Sequence, residues 1–588
     1  MKSITVILSE IVSESFGNCG YEKDYGTVSF SKTKFCQFQC NGSMIAAKKY
    51  KLNPLIICEQ IKKDLHENIN FISVEVAKPG FININLNDDY ISEYASEMLN
   101  CDRLGMKIVQ NPFTIVIDFG GPNVAKPLHV GHLRSAIIGE SLKRISLFIG
   151  HNVIGDVHIG DWGLQMGMII AFLKRQHPSL PYFDSSEILN SPLKNTITIY
   201  DLESIYPKAS ALSKSESSFL NEARLATFEL QNGNYNYKML WKHIVNISIE
   251  DLKRNYERLN VTFDVWKGES DSQYFIPQMV ENLKNKGYAY ISQGALVVDV
   301  TEKTDNTDIP PLILYKSDGA VLYSTTDLAT IIQRKNDYSP DYIFYVVDKR
   351  QATHFQQVFR CAYQTGMIPD NLKLEHIQFG TMNGKDGKPF KTREGGVMKL
   401  SDLIETLILE AKKRLQTVNT SNISHETERE NVSEIIAMAA LKFGDLINSR
   451  ESDYIFDIEK FCSFEGKTGP YLLYSVVRIK AILTKVKALN IKWNKISAQY
   501  TKVERELLIK IFEFQDIIQN SFEKRQSNLI AEYVYSLSNI YNSFYHENHV
   551  INESNLERQS SLIAVMSLSL KTMEICLELL CISTPERM

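Results

Sequence analysis

The residues best suited to chemistry lie in one stretch, DFGGPNVAKPLHVGHLR at 118–134, which we call the histidine turn. His129 and His132 flank Gly131, so their ring nitrogens can reach the oxygens of a phosphate chain. Gly131 has no Cβ, which lets a planar ligand lie against the backbone. A helix that begins here also presents free N–H groups and the positive end of its dipole. The stretch therefore predicts a phosphate-binding turn.

Hydrophobic patterning predicts the elements on either side of the turn. Residues 114–117, TIVI, are a short β-branched run that is typical of a buried strand. After the turn, one face of a helix is formed by Leu133, Ile137, Ser141, Ile145 and Phe148, and Gly150 can end that helix. The turn is thus expected to join a strand to a helix.

A second cationic stretch lies far along the chain. Residues 380–399, GTMNGKDGKPFKTREGGVMK, contain four lysines and one arginine among five glycines and a proline. Several cations on a glycine-rich loop suit the clamping of a polyphosphate. Such a loop is more often solvated surface, but this one directly follows a strand that we predict at 374–379. We therefore expect this cationic loop to reach the same ligand as the histidine turn.

Together these motifs resemble those of class I aminoacyl-tRNA synthetases. HVGH resembles the HIGH signature of the class, and GPNVAKPLHVGHLRSAIIGESL is similar to the arginyl-tRNA synthetases in particular, as is GDWG at 160–163. FKTR at 390–393 stands where other members carry KMSKS, and the second lysine of that signature is absent. We take Lys126, just ahead of the first signature, to supply some of the missing charge.

The resemblance implies ATP-dependent activation of L-arginine and transfer of the arginyl group to the terminal adenosine of tRNA(Arg), with AMP and diphosphate as products. ATP is expected to enter with Mg²⁺, and no structural metal is expected. The implied catalytic residues are Lys126, His129, His132 and Lys391. The implied ATP-binding residues are His129, Gly131, His132, His354, Met382, Lys388, Lys391 and Arg393.

An arginine substrate places a specific demand on its pocket. A guanidinium is always charged and offers planar, forked donors, so its recognition needs a buried carboxylate. The resemblance places Asp118 and Asp327 at the guanidinium. It places Asn123 and Gln351 at the α-amino group and Tyr323 at the pocket wall. From the sequence alone, Asp327 is equally well interpreted as a helix cap.

Two further regions resemble the tRNA-binding parts of this family. PGFIN at 79–83 resembles the close of an N-terminal domain that grips the tRNA elbow, where Phe81 and Asn83 would meet the D-loop. Phe81 is equally well interpreted as a core residue. Residues 453–483 resemble the start of a helical anticodon-binding domain, in which basic and aromatic side chains suit phosphate contact and base stacking. The candidates there are Tyr471, Tyr474, Arg478 and Lys480, although a solvated helix face also explains such a run.

The expected fold class is α/β. Strands that alternate with helices predict a class I Rossmann-like, doubly wound parallel sheet as the catalytic core, with its ligand crevice beyond the carboxyl ends of the strands. We expect an N-terminal α+β domain at 1–110, the core at 111–400 with an insertion at about 177–320, and a C-terminal all-α bundle at 401–588, DALR-like from about 454. Within the core we expect a strand at 320–324 and a helix capped by residues 325–327.

The bulk properties set limits on the protein's class. The chain has 588 residues with 44% hydrophobic content and a net charge of −4, so any nucleic acid must meet locally clustered basic residues. Nine dispersed cysteines suit a reducing cytosol, and Cys36 and Cys40 lack the second pair that a zinc site needs. No signal peptide or membrane span is expected. We expect a cytoplasmic monomer.

Two alternatives remain open. The first is a class I synthetase for another amino acid, such as cysteine, which the acidic residues at 118 and 327 and the absence of a zinc-ligand set disfavour. The second is a catalytically silent tRNA-binding relative, which the intact His129, His132 and Lys391 disfavour.

Overall fold

The computed structural model describes residues 1–33, 35–183, 197–388, 398–417, 426–493, 495–498 and 500–588. Within this part of the chain two compact units form. The sheet unit holds Asn111–Leu409 and Asn448–Ile458. The flanking unit holds Met1–Gln110, Glu410–Ile447 and Glu459–Met588, so the two ends of the sequence fold into one body.

The flanking unit begins with the expected small α+β fold. Its elements are α1 (Ile4–Asn18), β1 (Val28–Phe30), β2 (Phe38–Cys40), α2 (Gly42–Tyr50), α3 (Pro54–Leu65), β3 (Phe71–Ala77), β4 (Phe81–Leu86) and α4 (Asp88–Asn100). The strands pair antiparallel in the order β1-β2-β4-β3. Alternate residues of β4, namely Ile82, Ile84 and Leu86, are buried, as the period-2 pattern predicts. Asparagine side chains at positions 53 and 87 cap α3 and α4.

The sheet unit alternates strands with helices. Its first half contains β5 (Thr114–Asp118), α5 (Val130–Ile149), β6 (Asn152–Ile159), α6 (Leu164–Gln176), α7 (Ile199–Ser215), α8 (Ser217–Gln231), α9 (Tyr235–Arg258), β7 (Val265–Gly268), α10 (Glu269–Ser272) and α11 (Ile276–Asn285). Its second half contains β8 (Ala289–Ser292), β9 (Ala295–Val298), β10 (Leu312–Tyr315), α12 (Tyr323–Tyr338), β11 (Tyr342–Tyr345), α13 (Ala352–Gln364), β12 (Lys373–His376) and β13 (Met382–Asn383), and α14 (Leu400–Thr417) leads out of it.

The main sheet is parallel and doubly wound, as predicted. Its described strands follow the order β12-β11-β5-β6-β7. The two halves therefore meet where β5 pairs with β11, and a doubly wound sheet binds its ligand at such a switch point. Ile115, Val116 and Ile117 of β5 are fully buried, which explains the continuous apolar run in the sequence.

The expected insertion at 177–320 is not continuous. β7 falls inside that range, yet it pairs in parallel with β6 and is the edge strand of the main sheet. Its sequence, VWKG, is short and partly polar, so it lacks the apolar signature of a central strand. Strands β8, β9 and β10 form a separate antiparallel sheet in the order β10-β9-β8.

The predicted strand at 320–324 and the predicted cap at 325–327 are both wrong. Helix α12 begins at Tyr323, and its N-cap residue Leu322 makes no side-chain cap hydrogen bond. The Thr325 hydroxyl donates to the carbonyl of Leu314 in β10, 2.6 Å away. The hydroxyl that the local pattern predicted as a helix cap therefore makes a tertiary contact. Asp327 lies inside the helix and faces α13.

The C-terminal part is helical apart from one short strand among its described residues. Its elements are α15 (Glu426–Leu446), β14 (Tyr454–Ile455), α16 (Ile458–Phe461), α17 (Gly469–Ala488), α18 (Lys502–Phe512), α19 (Phe514–Lys524), α20 (Asn528–Glu547) and α21 (Leu556–Leu579). Strand β14 pairs with β13, so residues 448–458 belong to the sheet unit, although the sequence placed them in the helical region.

The α+β part and the helices of the flanking unit pack directly together. The Thr5 hydroxyl donates to Asp516 at 2.6 Å, and the Gln515 amide donates to the Leu104 carbonyl at 3.1 Å. Arg505 forms an ion pair with Asp88 at the start of α4. These contacts join segments that are 411 to 511 residues apart in the sequence, which explains why they fold as one unit.

Candidate active site

The histidine turn joins the carboxyl end of β5 to helix α5, as predicted. His129 is the N-cap of α5, and its Nδ1 accepts from the backbone N–H of Gly131 at 3.0 Å. The Nδ1 of His132 accepts from the backbone N–H of His129 at 3.2 Å. The two rings lie 3.9 Å apart between centroids. Both Nδ1 atoms are therefore bonded to the backbone at the helix start, and neither Nε2 atom has a hydrogen bond from the described residues.

These hydrogen bonds fix the protonation of the two rings. An Nδ1 that accepts is unprotonated, so each neutral ring carries its hydrogen on Nε2. Burial and the neighbouring His129 lower the pKa of His132 to about 3, and burial and Lys126 lower the pKa of His129. Near neutral pH the turn thus offers two neutral N–H donors and not two imidazolium charges.

Two glycines allow the close packing of this turn. Gly120 has a φ of +90°, and a Cβ there would lie 2.8 Å from the Tyr256 hydroxyl oxygen. Its N–H donates to Ser135 of α5 at 2.8 Å, so the glycine is tied to the helix that follows. A Cβ on Gly160 would lie 2.4 Å from Oδ1 of Asn123. The Asn123 amide therefore occupies the space above Gly160, where β6 ends.

Both described ends of the cationic loop are fastened to the histidine turn and α5. Arg134 of α5 donates to the Gly380 carbonyl at 2.7 Å, where the loop begins. Where the loop returns, Val130 donates to the Met398 carbonyl at 3.1 Å and Leu400 donates to the Leu128 carbonyl at 2.9 Å. The candidates Lys391 and Arg393 lie outside the described residues. Of the other loop candidates, Met382 is buried in β13 and Lys388 is exposed.

Lys126 lies beside the two histidines. Its charge contributes to the lowered pKa of both His129 and His132. Its Nζ lies 4.4 Å from the ring centroid of Tyr206, a residue of α7. The predicted catalytic residues that the structure describes, Lys126, His129 and His132, are therefore close together.

What we call the acidic pocket is a second group of neighbouring side chains, formed by Glu269, Asp327, Tyr323 and His354. Nε2 of His354 donates to Oδ2 of Asp327 at 2.6 Å. Burial, and then the carboxylates of Asp161 and Asp327, raise the pKa of Glu269 to about 7. Glu269 and Tyr206 also raise the pKa of Tyr323 after burial, so these side chains are neighbours. Tyr323 is 73% exposed and stands at the open side of the pocket.

Asp118 is already paired with an internal cation. Nη2 of Arg334 lies 2.8 Å from Asp118 and 2.7 Å from Asp156. The Arg334 side chain is only 2% exposed, and that of Asp118 is 15% exposed. Although burial opposes its charge, the two carboxylates raise the pKa of Arg334 well above its ordinary value. Asp118 and Asp327, which the sequence analysis placed together at a substrate guanidinium, thus have different partners.

The remaining arginine candidates lie at strand ends. Asn123 forms an isolated parallel bridge with Gly160, beyond the end of β6. Gln351 is exposed in the turn between β11 and α13, at the N-cap of that helix. Parallel strands bring such turns to one edge of the sheet.

The first pair of tRNA candidates lies on β4 of the flanking unit. Phe81 is half-buried and pairs with Ala77 of β3. The side-chain oxygen of Asn83 accepts from the Gln39 amide at 2.9 Å. Both residues are held by the sheet and keep part of their surface accessible.

The second group of tRNA candidates lies on α17. The Tyr471 hydroxyl donates to Asn539 and accepts from Asn542, both at 2.7 Å. The Arg478 guanidinium lies 4.6 Å from the Tyr474 ring centroid. Lys480 forms ion pairs with Glu574 at 2.9 Å and Glu586 at 2.7 Å. Lys480 is therefore neutralised within the chain, whereas Arg478 is held against an aromatic face.

Three residues of the candidate site were not predicted from the sequence. Glu269 directly follows β7. Had VWKG been predicted as a strand of the main sheet, Glu269 would have been identified as a carboxylate at a strand end. Arg334 lies on the buried face of α12 with Leu328 and Ile331, and a charge on an apolar face signals an internal partner. Arg134 belongs to the signature string, but its contact with the cationic loop cannot be inferred from spacing.

The described residues contain no group of three or more His, Cys, Asp or Glu side chains arranged to hold a metal ion. Cys36 and Cys40 are free, buried thiols. No helix in the same set of residues is both long and apolar enough to cross a membrane.

Comparison with known proteins assigns this fold and site to a class. Residues 95–458 match the family described as tRNA synthetases class I (R), catalytic domain. Residues 472–588 match the DALR anticodon binding domain, and residues 2–86 match the arginyl tRNA synthetase N terminal domain. The fold and the catalytic domain are those of a class I aminoacyl-tRNA synthetase.

The relatives narrow the class to one family. An arginine–tRNA ligase of Alkaliphilus oremlandii is 51% identical over 99% of this chain and 99% of its own length. One of Agathobacter rectalis is 49% identical over 100% of both chains. The crystal structure of Plasmodium falciparum arginyl-tRNA synthetase covers 100% of both chains at 27% identity, with a TM-score of 0.80.

The chain belongs to the arginyl-tRNA synthetase family. This membership confirms the predicted fold class and the predicted type of enzyme, an ATP-using arginine–tRNA ligase. It does not favour a synthetase for another amino acid or a silent tRNA-binding relative.

Proposed function

We propose that the sheet unit activates L-arginine with ATP at the switch point and passes the arginyl group to the terminal adenosine of tRNA(Arg). The observation that supports this proposal is that the histidine-capped start of α5 follows β5, while His354, which is hydrogen-bonded to Asp327, follows the neighbouring strand β11. In the first step the arginine carboxylate attacks the α-phosphorus, and the bond to pyrophosphate breaks. In the second step a ribose hydroxyl of the adenosine attacks the carbonyl carbon, and AMP leaves.

The histidine turn stabilises the phosphates. The carboxylate of arginine is ionised at neutral pH, so the first step needs alignment and charge stabilisation, and no strong base. The Nε2–H groups of His129 and His132 donate to phosphate oxygens, and Lys126 supplies a positive charge. Lys391 and Arg393 act from the cationic loop, whose ends are tied to this turn. Mg²⁺ arrives with ATP as part of the substrate.

The nucleoside and the rest of the triphosphate bind around this turn. The absence of a Cβ at Gly131 lets the base or ribose approach the backbone. His354 and Met382 line the adenosine side, and Lys388 faces the outer phosphates from the cationic loop. His354 also contacts Asp327, so it lies between the ATP site and the arginine site.

The acidic pocket selects arginine by charge and shape. Glu269 and Asp327 receive the guanidinium, whose forked donors match two carboxylates. The free Oδ1 of Asp327 has no hydrogen bond from the described residues and is available for this contact, while His354 holds Oδ2. Tyr323 forms the exposed wall. Asn123 and Gln351 hold the α-amino group.

We propose a supporting role for Asp118. Its carboxylate is paired with Arg334, a guanidinium that the protein itself provides. Asp118 therefore shapes the floor of the pocket through Arg334, and the substrate guanidinium is left to Glu269 and Asp327. This assignment changes the pair of carboxylates that the sequence predicted.

The flanking unit binds the tRNA body. Phe81 and Asn83 contact the elbow, where an aromatic ring can stack on a base without reading its identity. Tyr471, Tyr474 and Arg478 contribute to the anticodon site. Lys480 is the weakest candidate of this group, because two glutamates already neutralise it. We also propose that the enzyme is a cytoplasmic monomer.

Arginine-dependent exchange of labelled pyrophosphate into ATP, run with and without tRNA(Arg), tests this function. We expect exchange with arginine and tRNA, and less than a tenth of that rate with lysine or citrulline, which lack the charged fork. Citrulline is the matched control because it keeps the length and shape of arginine without its charge. Exchange that is supported equally by citrulline, or by cysteine alone, would overturn the assignment.

A further inference from the structure

Helix α7 contacts two lysines that lie beside the histidine turn, Lys126 and Lys399. Glu203 and Tyr206 are three residues apart and so share one face of this helix. Nζ of Lys126 lies 4.4 Å from the Tyr206 ring centroid, within the range of a cation–π contact. Nζ of Lys399 lies 2.9 Å from Oε2 of Glu203. One helix face therefore contacts both the histidine turn and the end of the cationic loop.

The two lysines occupy defined places around the phosphate site. Lys126 is near enough to His129 and His132 to lower the pKa of both. Lys399 forms an isolated antiparallel bridge with His129, and the residues on either side of it bond to the backbone of the turn. A displacement of either lysine would therefore change the surroundings of the two histidines.

Tyr206 is itself held in place. Its ring packs against a small core formed between α6, α7 and α8, whose buried members are Met168, Ala171, Phe172, Ala209, Phe219 and Ala223. One side of the ring is thus fixed by packing while its face receives the Lys126 ammonium. A lysine side chain has many rotamers in solution, and a fixed aromatic face limits them.

We propose that α7 is a positioning element for adenylation: Tyr206 orients Lys126, and Glu203 anchors the returning end of the cationic loop through Lys399. The inference rests on the proposed role of Lys126 at the ATP phosphates. Neither α7 residue touches the reacting atoms, so both act through the lysines. Helix α7 lies outside the main sheet. The packing of Tyr206 against the core between α6, α7 and α8 would therefore affect the rate of adenylation through Lys126.

Substitution of the aromatic ring tests the first contact. Tyr206→Phe keeps the ring and its packing, so we expect kcat for tRNA-dependent pyrophosphate exchange to stay within about twofold of the natural protein. Tyr206→Leu keeps apolar bulk but removes the π face, and we expect kcat to fall about fivefold while KM for arginine changes less than about twofold. Tyr200→Leu, an exposed tyrosine of the same helix, is the matched control and should have no effect.

A double-mutant cycle separates positioning from packing. If Tyr206 acts through Lys126, then Tyr206→Leu should cause no further loss of kcat in a Lys126→Ala background. Full additivity, or equal losses in Tyr206→Phe and Tyr206→Leu, would overturn the inference. A Lys126→Ala variant with unchanged kcat would overturn the proposed role of Lys126 as well. A slow Lys126→Ala variant beside a normal Tyr206→Leu variant would overturn only the inference.

A charge exchange tests the second contact. Glu203→Lys and Lys399→Glu each place like charges together, and we expect each to raise KM for ATP about fivefold. The double variant restores an opposite pair, and we expect its KM to return to within about twofold of the natural value. Circular dichroism melts of all three proteins control for folding. Failure of the double variant to recover would overturn the role of Glu203.

Discussion

The histidine turn and the acidic pocket are built in different ways. The turn is made by neighbours in the sequence, and its hydrogen bonds join residues two or three positions apart. The pocket joins Glu269, Asp327 and His354 from three separate elements, and His354 contacts a residue 27 positions away. A local site can be inferred from spacing, whereas an assembled one depends on which charges the fold has already paired.

The difference matters most for the carboxylates. Asp118 and Asp327 look equivalent in the sequence, because each is an acidic residue near a ligand-binding turn. In the structure Asp118 pairs with the permanently charged Arg334, whereas Asp327 accepts a hydrogen bond from His354.

The largest expected effect is on stability. Asp118→Asn removes one of the two carboxylates of buried Arg334, so we expect the free energy of unfolding to fall by about 3 kcal/mol. Urea denaturation followed by circular dichroism measures this change, with Asp308→Asn on the surface as the control. An unchanged unfolding curve together with a tenfold rise in KM for arginine would mean that Asp118 binds the substrate directly.

The next largest effect concerns the histidine turn. Lys126→Ala removes a cation beside the phosphates, so we expect the adenylation rate to fall about 100-fold, as when one transition-state donor is removed. KM for arginine should change less than about threefold, because the pocket is untouched. Single-turnover quench flow measures both quantities. Equal losses in rate and arginine affinity would argue against the separation of the two sites.

A pH dependence is expected in the pocket. The pKa of Glu269 is raised to about 7, so at pH 6 the carboxyl is mostly neutral and attracts a guanidinium weakly, whereas at pH 8 it is mostly charged. We expect the Kd for arginine to fall about tenfold between pH 6 and pH 8. Isothermal titration calorimetry measures it. Glu269→Gln should bind weakly at both pH values, and a dependence that survives this substitution would exclude Glu269 as its source.

The smallest effect is expected for His132 in the histidine turn, which should not titrate near neutral pH. Because burial lowers the pKa of His132 to about 3, its ring should stay neutral with the hydrogen on Nε2 between pH 5 and pH 8. Long-range ¹H–¹⁵N spectra of the imidazoles distinguish the tautomers directly. A ring that gains a proton near pH 6.5 would show that the turn offers charge and not a neutral donor.

Much of the fold was predictable because local physics determined it. The apolar run of β5 and the glycine stop at Gly150 depend on neighbouring residues, and each appears where the pattern places it. The strand predicted at 320–324 failed because Thr325 bonds to a distant carbonyl in β10. Strand β7 was not predicted, because an edge strand can form with few apolar residues.

The residues of the candidate site show the same contrast between local sequence and tertiary contacts. Lys126, His129 and His132 were found together because one stretch of sequence contains them. The partner of Asp118 was not predictable, since Arg334 lies 216 residues away. Glu269 became visible only when β7 joined the sheet. The spacing of residues in the sequence thus identifies the histidine turn, but it does not show which acidic side chains the fold has already paired.

We propose above that Asp327 binds the guanidinium of arginine, and the effect of its substitution on KM for arginine tests this contact. Steady-state pyrophosphate exchange with tRNA gives KM for arginine in Asp327→Asn and in Asp337→Asn, a control on the same helix. We predict a rise of about tenfold or more for Asp327→Asn, the scale of a lost buried charge pair, and less than about twofold for the control. A rise below about threefold for Asp327→Asn would exclude Asp327 from the contact with the guanidinium.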